Sequence, residues 1–344
     1  MYHDFCITLC AMAPSFMTVR VDDPLAAMAG LGCEIRRIDR ALNVPRRAPK
    51  GAKRILVVQR PMLDRSVRLS LVRTAIERGW VLVVEFDDHP ELLPSPIKET
   101  FNAGMGLDSL RMCHGVQTST PQLERFFSEL NPRVGMFPNQ IYSYPLHMIQ
   151  RSAKKHIVFA ALNRQATWQP LMPAINAALN GRDDVSATVL HDRAFHDALA
   201  VNHKSFIDLA SYQDYMHQLK CAHVVLMPLD DTPQNRCKSD IKFLEASICG
   251  AASLASPTVY GDTIRHGETG MIAKTPDDWQ NMLTRLLDDD TERERLSTNA
   301  HRYVRTERML SQHIHKRLEW YDMLWQERYE RTAAIVRDFP ELKA

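Results

Sequence analysis

Residues 223–257, "HVVLMPLDDTPQNRCKSDIKFLEASICGAASLASP", decide the fold. The run 223–229 is apolar without a break, as a strand buried on both faces of a sheet must be. A polar loop holding Pro228, Asp230, Asp231, Pro233 and Asn235 follows. A helix comes next, with Ser239 as its expected cap and Asp240 in its first turn, where negative charge suits the helix dipole. Gly250 stands where a left-handed residue would end that helix, and 251–256 reads as the next strand. Strand, loop, helix and strand make one βαβ unit, and open parallel sheets hold ligands where strands end and helices begin.

The helix carries a carboxylate in an unusual place. Ile241, Leu244 and Ile248 form its apolar stripe, and Glu245 lies only about 40° from Ile241 around the axis. An acid on the edge of a core-facing stripe is costly unless it has a partner. Lys242 is one turn away, and Lys238 stands at the loop–helix junction. Two readings are open here. One is a local ion pair on a half-exposed helix. The other is a carboxylate that receives ligand hydroxyls, while Lys238 and the helix N-terminus receive phosphate.

The segment "KSDIKFLEASICGAASLASPTVYGDTIRHGETGMIA", followed by "PDDWQNMLTRLLDDDTERERLSTNAHRYV", resembles the carboxyl-terminal half of GT-B glycosyltransferases of glycosyltransferase family 4 (glycosyl transferases group 1). The resemblance is most specific over residues 220–305 and weaker from Ile157. It implies an α/β fold of two doubly wound Rossmann-like domains facing across a cleft, with a terminal helix crossing back to the first. It also implies transfer of a sugar from a nucleotide-diphosphate donor, retaining and metal-independent, with no cofactor. In the family's signature the second of two glutamates, which holds the nucleotide ribose, matches Glu245. The first, which contacts the donor sugar, falls at Cys237. A thiol is a weak acceptor for a sugar hydroxyl. Asn235 or Asp240 takes over that role, or the donor sugar is bound differently, or catalysis is lost. A related subgroup pattern makes Asn235, Lys238 and Ser239 the working set, and bacterial polysaccharide enzymes are the relatives in view.

Composition sets the wider bounds. The chain has 344 residues, 45% hydrophobic and 24% charged, with a formal net charge of +2, so nothing calls for nucleic acid as a partner. Seven cysteines are scattered without a CxxC pair, which suits a reduced, cytoplasmic setting. The first residues, "MYHDFCITLCAMAPSF", lack the basic start and long apolar run of a signal peptide, and no stretch is long enough to span a bilayer.

Along the chain, strands are expected at 5–11, 33–38, 54–59, 80–86, 115–118 and 134–141, alternating with helices at 24–29, 64–78, 97–103 and 121–130. That alternation is the pattern of a doubly wound sheet. The connection 41–53 is rich in Pro and Arg. Its basic residues (Arg46, Arg47, Lys50, Lys53, Arg54) read as a solvated loop, or as a face for a membrane surface or a lipid-phosphate acceptor. Asp87, Asp88 and His89 follow the fourth strand, where they are either an ordinary turn or acceptor-side chemistry. A linker is expected at 142–155, separating domains at 1–145 and 156–308, with 309–344 as the segment that packs back.

The second domain opens with strand 157–162 and a helix over 169–179; Asn163 and Arg164 lie between them. By the resemblance, Arg164 is a candidate for the donor diphosphate. Ser256, Pro257 and Thr258 stand where the family has a glycine pair, and backbone N–H groups there are candidates for phosphate. Asp288–Asp290 reads as a solvated linker and Asp230–Asp231 as a turn, so no metal site is assigned. Segment 309–329 is expected as one long helix.

The sequence therefore points to a glycosyltransferase acting on a nucleotide-sugar donor and a glycan, lipid-linked or protein acceptor. Its placement is cytoplasmic, with peripheral contact at the inner membrane face. The working residues are Lys238, Asp88 and His89 for catalysis, with Asn163, Arg164, Asn235, Lys238, Ser239, Lys242, Glu245, Ser256 and Thr258 on the donor. The alternatives are a catalytically degenerate GT-B scaffold or partner protein, and a nucleotide-sugar epimerase. A phosphorylase on the same plan would be a much longer chain.

Overall fold

Strands that are apolar at every position need cover on both faces, and the computed structural model shows that cover. It describes residues 2–12, 17–90, 95–144, 151–162 and 164–343. In chain order the elements are β1 (Phe5–Ala11), α1 (Asp23–Gly30), β2 (Glu34–Asp39), β3 (Lys53–Gln59), α2 (Arg65–Glu77), β4 (Val81–Glu85), α3 (Ser95–Ala103), β5 (Gly115–Thr118), α4 (Pro121–Ser128) and β6 (Val134–Met136). Then come β7 (Lys155–Ala160), α5 (Gln165–Trp168), α6 (Met172–Leu179), β8 (Val185–Leu190), α7 (Arg193–Ala198), β9 (His203–Ile207), α8 (Tyr212–Cys221), β10 (Val224–Met227) and α9 (Ile241–Ile248). The chain closes with β11 (Ala252–Ala255), β12 (Met271–Ile272), α10 (Pro276–Asp288), α11 (Asp290–Glu307), α12 (Ile314–Gln326) and α13 (Arg328–Asp338).

These elements form two units, Met1–Tyr142 with Leu310–Ala344, and Ser143–Met309. Each holds one six-stranded sheet, ordered β2-β1-β3-β4-β5-β6 in the first and β12-β11-β10-β7-β8-β9 in the second. The strands pair in parallel throughout both sheets.

In the first unit, Phe5, Ile7 and Leu9 join Ile55 and Val57 in a core with Leu25 and Met28 of α1 and Leu318, Tyr321 and Leu324 of α12. The intervening Cys6, Cys10, Leu56 and Val58 are buried on the opposite face. The second unit repeats the arrangement: Ile157, Phe159, Val224 and Leu226 pack with Trp168, Ile175 and Trp279. There the Phe159 ring stacks on Phe195 with centroids 3.7 Å apart.

Two expectations change in detail. The terminal helix is two helices, α12 and α13, preceded by a 3-10 turn at Leu310–Gln312. The helix expected over 169–179 begins as a 3-10 turn, Gln169–Leu171, and restarts as α6 with a proline in its first turn, where a missing N–H costs nothing. The expected linker lies partly outside the described residues, at 145–150.

The terminal segment sits tightly on its sheet. A Cβ added at Gly135 would meet the Trp320 ring at 2.7 Å, and one at Gly115 would meet it at 2.9 Å. Neither glycine is needed for its backbone angles; both are needed for that close approach. Gly135→Ala and Gly115→Ala should each destabilise the fold by about 1–3 kcal/mol, the range for overpacking. A lower urea midpoint at unchanged m-value would show it.

Candidate functional site

In the second sheet β7 lies between β8 and β10, so the winding direction reverses between β7 and β10. Such a switch point opens a crevice outside the carboxyl ends of the strands. Arg164 follows β7, the polar loop and α9 follow β10, and Ser256 and Thr258 follow β11. The topology thus gathers at one edge residues that are far apart in sequence.

Asn235 is the hub of the polar loop. Its side-chain oxygen accepts from Arg164 Nη1 at 3.1 Å, and its amide donates to Asp230 Oδ1 at 2.7 Å. Thr167 also donates to Asp230. Asp230, part of a pair that read as a plain turn, therefore fixes the loop to α5. Asn163 lies outside the described residues. Cys237 is buried and turns its sulfur toward the Pro233 carbonyl. Lys238 caps the 3-10 turn Asn235–Cys237, with its N–H donating to the Asn235 carbonyl at 3.0 Å.

The start of α9 differs from expectation. Asp240, not Ser239, is its N-cap residue, and no side chain caps the helix there. The Asp240 carboxylate is instead gripped by Arg308, at 2.6 Å from Nη1 and 3.1 Å from Nη2, and by Thr263 Oγ1 at 2.8 Å. A bidentate guanidinium outbids a lone backbone N–H. Asp240 is thereby committed to structure.

Glu245 is 4% exposed, and Tyr215 of α8 donates to its Oε2 at 3.0 Å. Burial, reinforced by the Glu245 charge, raises the Tyr215 pKa well above its ordinary value, so the phenol stays a donor. Lys242 donates its ammonium to the Ala160 carbonyl at the end of β7. Burial pulls the Lys242 pKa down to about 8; Glu245 works against that, and the nearby Arg164 and Lys238 charges add to it. Lys242, Arg164 and Lys238 thus lie near one another and near the buried Glu245.

Ser256 accepts from the Leu229 N–H at 3.0 Å and ties the end of β11 to the end of β10. Beyond it the Tyr260 N–H bonds the Thr258 carbonyl at 2.8 Å, closing a γ-turn around Val259 at φ 67°, ψ −49°. A β-branched residue at positive φ stores about 1–3 kcal/mol of strain. The turn just after Ser256, Pro257 and Thr258 thus holds a positive φ on a non-glycine residue, Val259. Downstream, a Cβ on Gly270 would meet Ile264 Cγ2 at 3.0 Å and the Ser253 carbonyl at 3.2 Å.

At the first unit's sheet, Asp87 and Asp88 do stand just past the end of β4, but neither is idle. Arg60 donates to Asp87 Oδ1 at 2.6 Å and to Asp88 Oδ2 at 3.2 Å. Burial pushes Asp87 toward protonation, but the Arg60 charge and hydrogen bond, with Arg20 behind them, outweigh it and hold the carboxyl below its ordinary range. The His89 ring packs against Phe126 with centroids 4.4 Å apart.

Beneath lies a network that sequence reading missed. Arg20 donates to Glu85 at 2.8 Å, to the Phe137 carbonyl at 2.7 Å and to Asn139 at 3.1 Å. Gln117 donates to Glu85, and Tyr321 donates to Gln117 at 2.7 Å. The signal was present: Glu85 ends an otherwise apolar strand, and a fully buried acid needs a cation.

The acidic runs are structural. Asp289 caps α11, Asp288 pairs with Arg182, and Asp290 pairs with Lys155 and Arg293. Asp231 pairs with Arg236. Among the described residues no group of three His, Cys, Asp or Glu side chains is arranged to hold a metal ion.

The Asp240–Arg308 clamp predicts strong coupling. Asp240→Ala and Arg308→Ala should each lower stability by about 2–3 kcal/mol, because the partner's charge is left partly buried. In chemical unfolding the double variant should lose at least about 1 kcal/mol less than the sum of the two.

Among solved structures the chain is similar to HepE of Anabaena, in complex with UDP and glucose, at 11% identity and a TM-score of 0.61 over 92% of this chain and 99% of that one. It is similar to sucrose-phosphate synthase of Thermosynechococcus elongatus at 12% identity and a TM-score of 0.63, over 94% and 99%. A glycosyltransferase of Rickettsia africae matches at 11% identity and 0.61, over 94% and 99%. No family model and no curated protein matches the sequence. At these identities the likeness establishes the fold: two parallel six-stranded sheets in the GT-B plan.

Proposed function

We propose that the chain is a glycosyltransferase that moves a sugar from a nucleotide-diphosphate donor to a glycan, lipid-linked or protein acceptor. One observation carries the reading: Arg164, Lys238 and Lys242 surround the switch point of the second sheet beside a buried, hydrogen-bonded Glu245. As the glycosidic bond breaks, negative charge grows on the leaving diphosphate, and cations fixed in a partly dry crevice stabilise it without reorganising. Glu245, held in place by Tyr215, is suited to the ribose hydroxyls. Asn235, Ser239, Ser256 and Thr258 supply polar groups around the same loops. In the first unit Asp88 and His89 are assigned to the acceptor side, with Asp87 fixed by Arg60.

UDP is the nucleotide to test first, since HepE structures hold UDP or UDP-glucose. Membership of family 4, a retaining and metal-independent course, and a polysaccharide acceptor at the cytoplasmic membrane face complete the proposal. Among the described residues no helix is long and apolar enough to cross a membrane. Cys237 favours a second reading, a protein that binds nucleotide without transferring sugar, because its buried thiol offers no strong acceptor where the resemblance expects a carboxylate.

Lys238→Ala should lower transfer more than tenfold with an unchanged melting temperature, the scale of a charge-assisted contact of about 1.5–3 kcal/mol. Glu245→Gln should chiefly raise the donor KM. Nucleotide binding with no turnover on any acceptor or on water would select the second reading.

Lys242 adds a pH test. Its pKa of about 8 in the folded chain lies below its ordinary value of 10.5. The unfolded chain therefore binds more protons between those pH values, and stability contributed by this group rises with pH across that window. A bound diphosphate restores the charged form. UDP binding at pH 8 should thus take up as much as about half a proton per nucleotide. Titration calorimetry in buffers of different ionisation enthalpy reads that uptake, and Lys242→Met should abolish it.

A further inference from the structure

The basic segment after β2 is reorganised by the fold. Of the five basic residues grouped there in sequence, Lys53 is taken by Asp4 at 2.8 Å and Asp322 at 2.7 Å. Arg54 donates to the Arg78 carbonyl at 3.0 Å. In their place the tertiary structure brings Arg36 from β2 and Arg78 from the end of α2. With Arg46, Arg47, Asn43 and Pro45 they line an open cavity of about 610 Å³ on the first unit.

The loop that presents these arginines is built. Its carbonyls are consumed by side-chain donors: Asn43 by Cys10 at 3.7 Å, Val44 by Arg78, Pro45 by the indole of buried Trp80 at 2.9 Å, and Arg47 by Arg36 at 2.6 Å. With its acceptors tied up in this way and Pro45 limiting the backbone, the loop turns cations outward. The only carboxylate that pairs with the four among the described residues is Glu34, 2.9 Å from Arg36. Four guanidiniums against one acid leave a surplus of three positive charges. Arg46 and Arg47 are exposed.

Planar guanidinium forks match the oxygens of a phosphoryl group, and a dianion suits this surplus. The cavity is lined by Arg36 of the edge strand β2 and by Arg78, just before β4, whereas Asp87–His89 lie past the other end of that five-residue strand, ~17 Å at the ordinary rise per residue. We propose that this pocket binds a phosphate monoester or diphosphate group, carried either by a soluble phosphorylated molecule or by a lipid headgroup. The proposal stands apart from the donor site in the second unit, so either can fail alone.

Three proteins decide it: the parent chain, Arg46→Ala/Arg47→Ala, and Arg46→Lys/Arg47→Lys. Both variants should melt with the parent, since the two side chains are exposed. Pyrophosphate is titrated into all three proteins, and the part of its binding that the Arg46/Arg47 variants lose is the part that belongs to this pocket. Flotation is measured with phosphatidylcholine vesicles carrying phosphatidic acid or phosphatidylglycerol. The proposal expects affinity to fall at least tenfold in the alanine variant and severalfold in the lysine variant, which keeps the charge but loses the fork. Loss of pyrophosphate binding marks a soluble ligand; loss confined to phosphatidic acid vesicles marks a lipid phosphomonoester. No binding of any probe overturns the proposal. So does binding that the variants leave unchanged, or equal binding to both anionic lipids that the lysine variant retains.

Discussion

Charge withheld from water on one short helix is the constraint that organises the second unit. Glu245 sits among core residues of α9, where a carboxylate needs partners: Tyr215 donates to it and Lys242 lies a turn away. Lys242 in turn anchors its ammonium on the last carbonyl of β7. The helix, its neighbour α8 and the first strand of the unit are thereby locked by polar contacts as well as by packing. The same contacts gather cations at the point where the sheet reverses its winding.

The first unit solves a related problem by other means. Its sheet ends in acids, Glu85, Asp87 and Asp88, and each meets an arginine delivered from elsewhere in the fold: Arg20 from the turn after β1, and Arg60 from the end of β3. Arg60 stands at φ 46° to do so. Strained φ values of this kind persist where the surrounding structure fixes them, and Val259, just past β11, is another of the five described non-glycine residues at positive φ. Strain at both places coincides with the ends of strands where the sheets would hold ligands.

Much of the architecture was legible. Alternating apolar runs and helix-cap signals located most of the elements, and Gly250 does take a positive φ at the end of α9. The misreadings have a common origin. Ser239 was the better cap by local rules, yet the helix starts at Asp240 because Arg308 and Thr263 hold that side chain. That Asp87 and Asp88 pair with Arg60 was not legible, because Arg60, 27 residues before Asp87, carries no sequence mark of its destination.

What the sequence determined by itself was short-range: the period of each element, its start and stop, and the oddity of acids such as Glu245 and Glu85 inside apolar runs. Those follow from backbone sterics and hydration, which act within a few residues. Tertiary structure alone decided which charge meets which. Asp240 found Arg308 across 68 positions, and Arg46 and Arg47 acquired Arg36 and Arg78 as neighbours. Whether a buried carboxylate becomes a ligand site or a strut depends on its partner. Coulomb energy is set by distance in space and by exclusion of water, and neither is a property of the chain read in line.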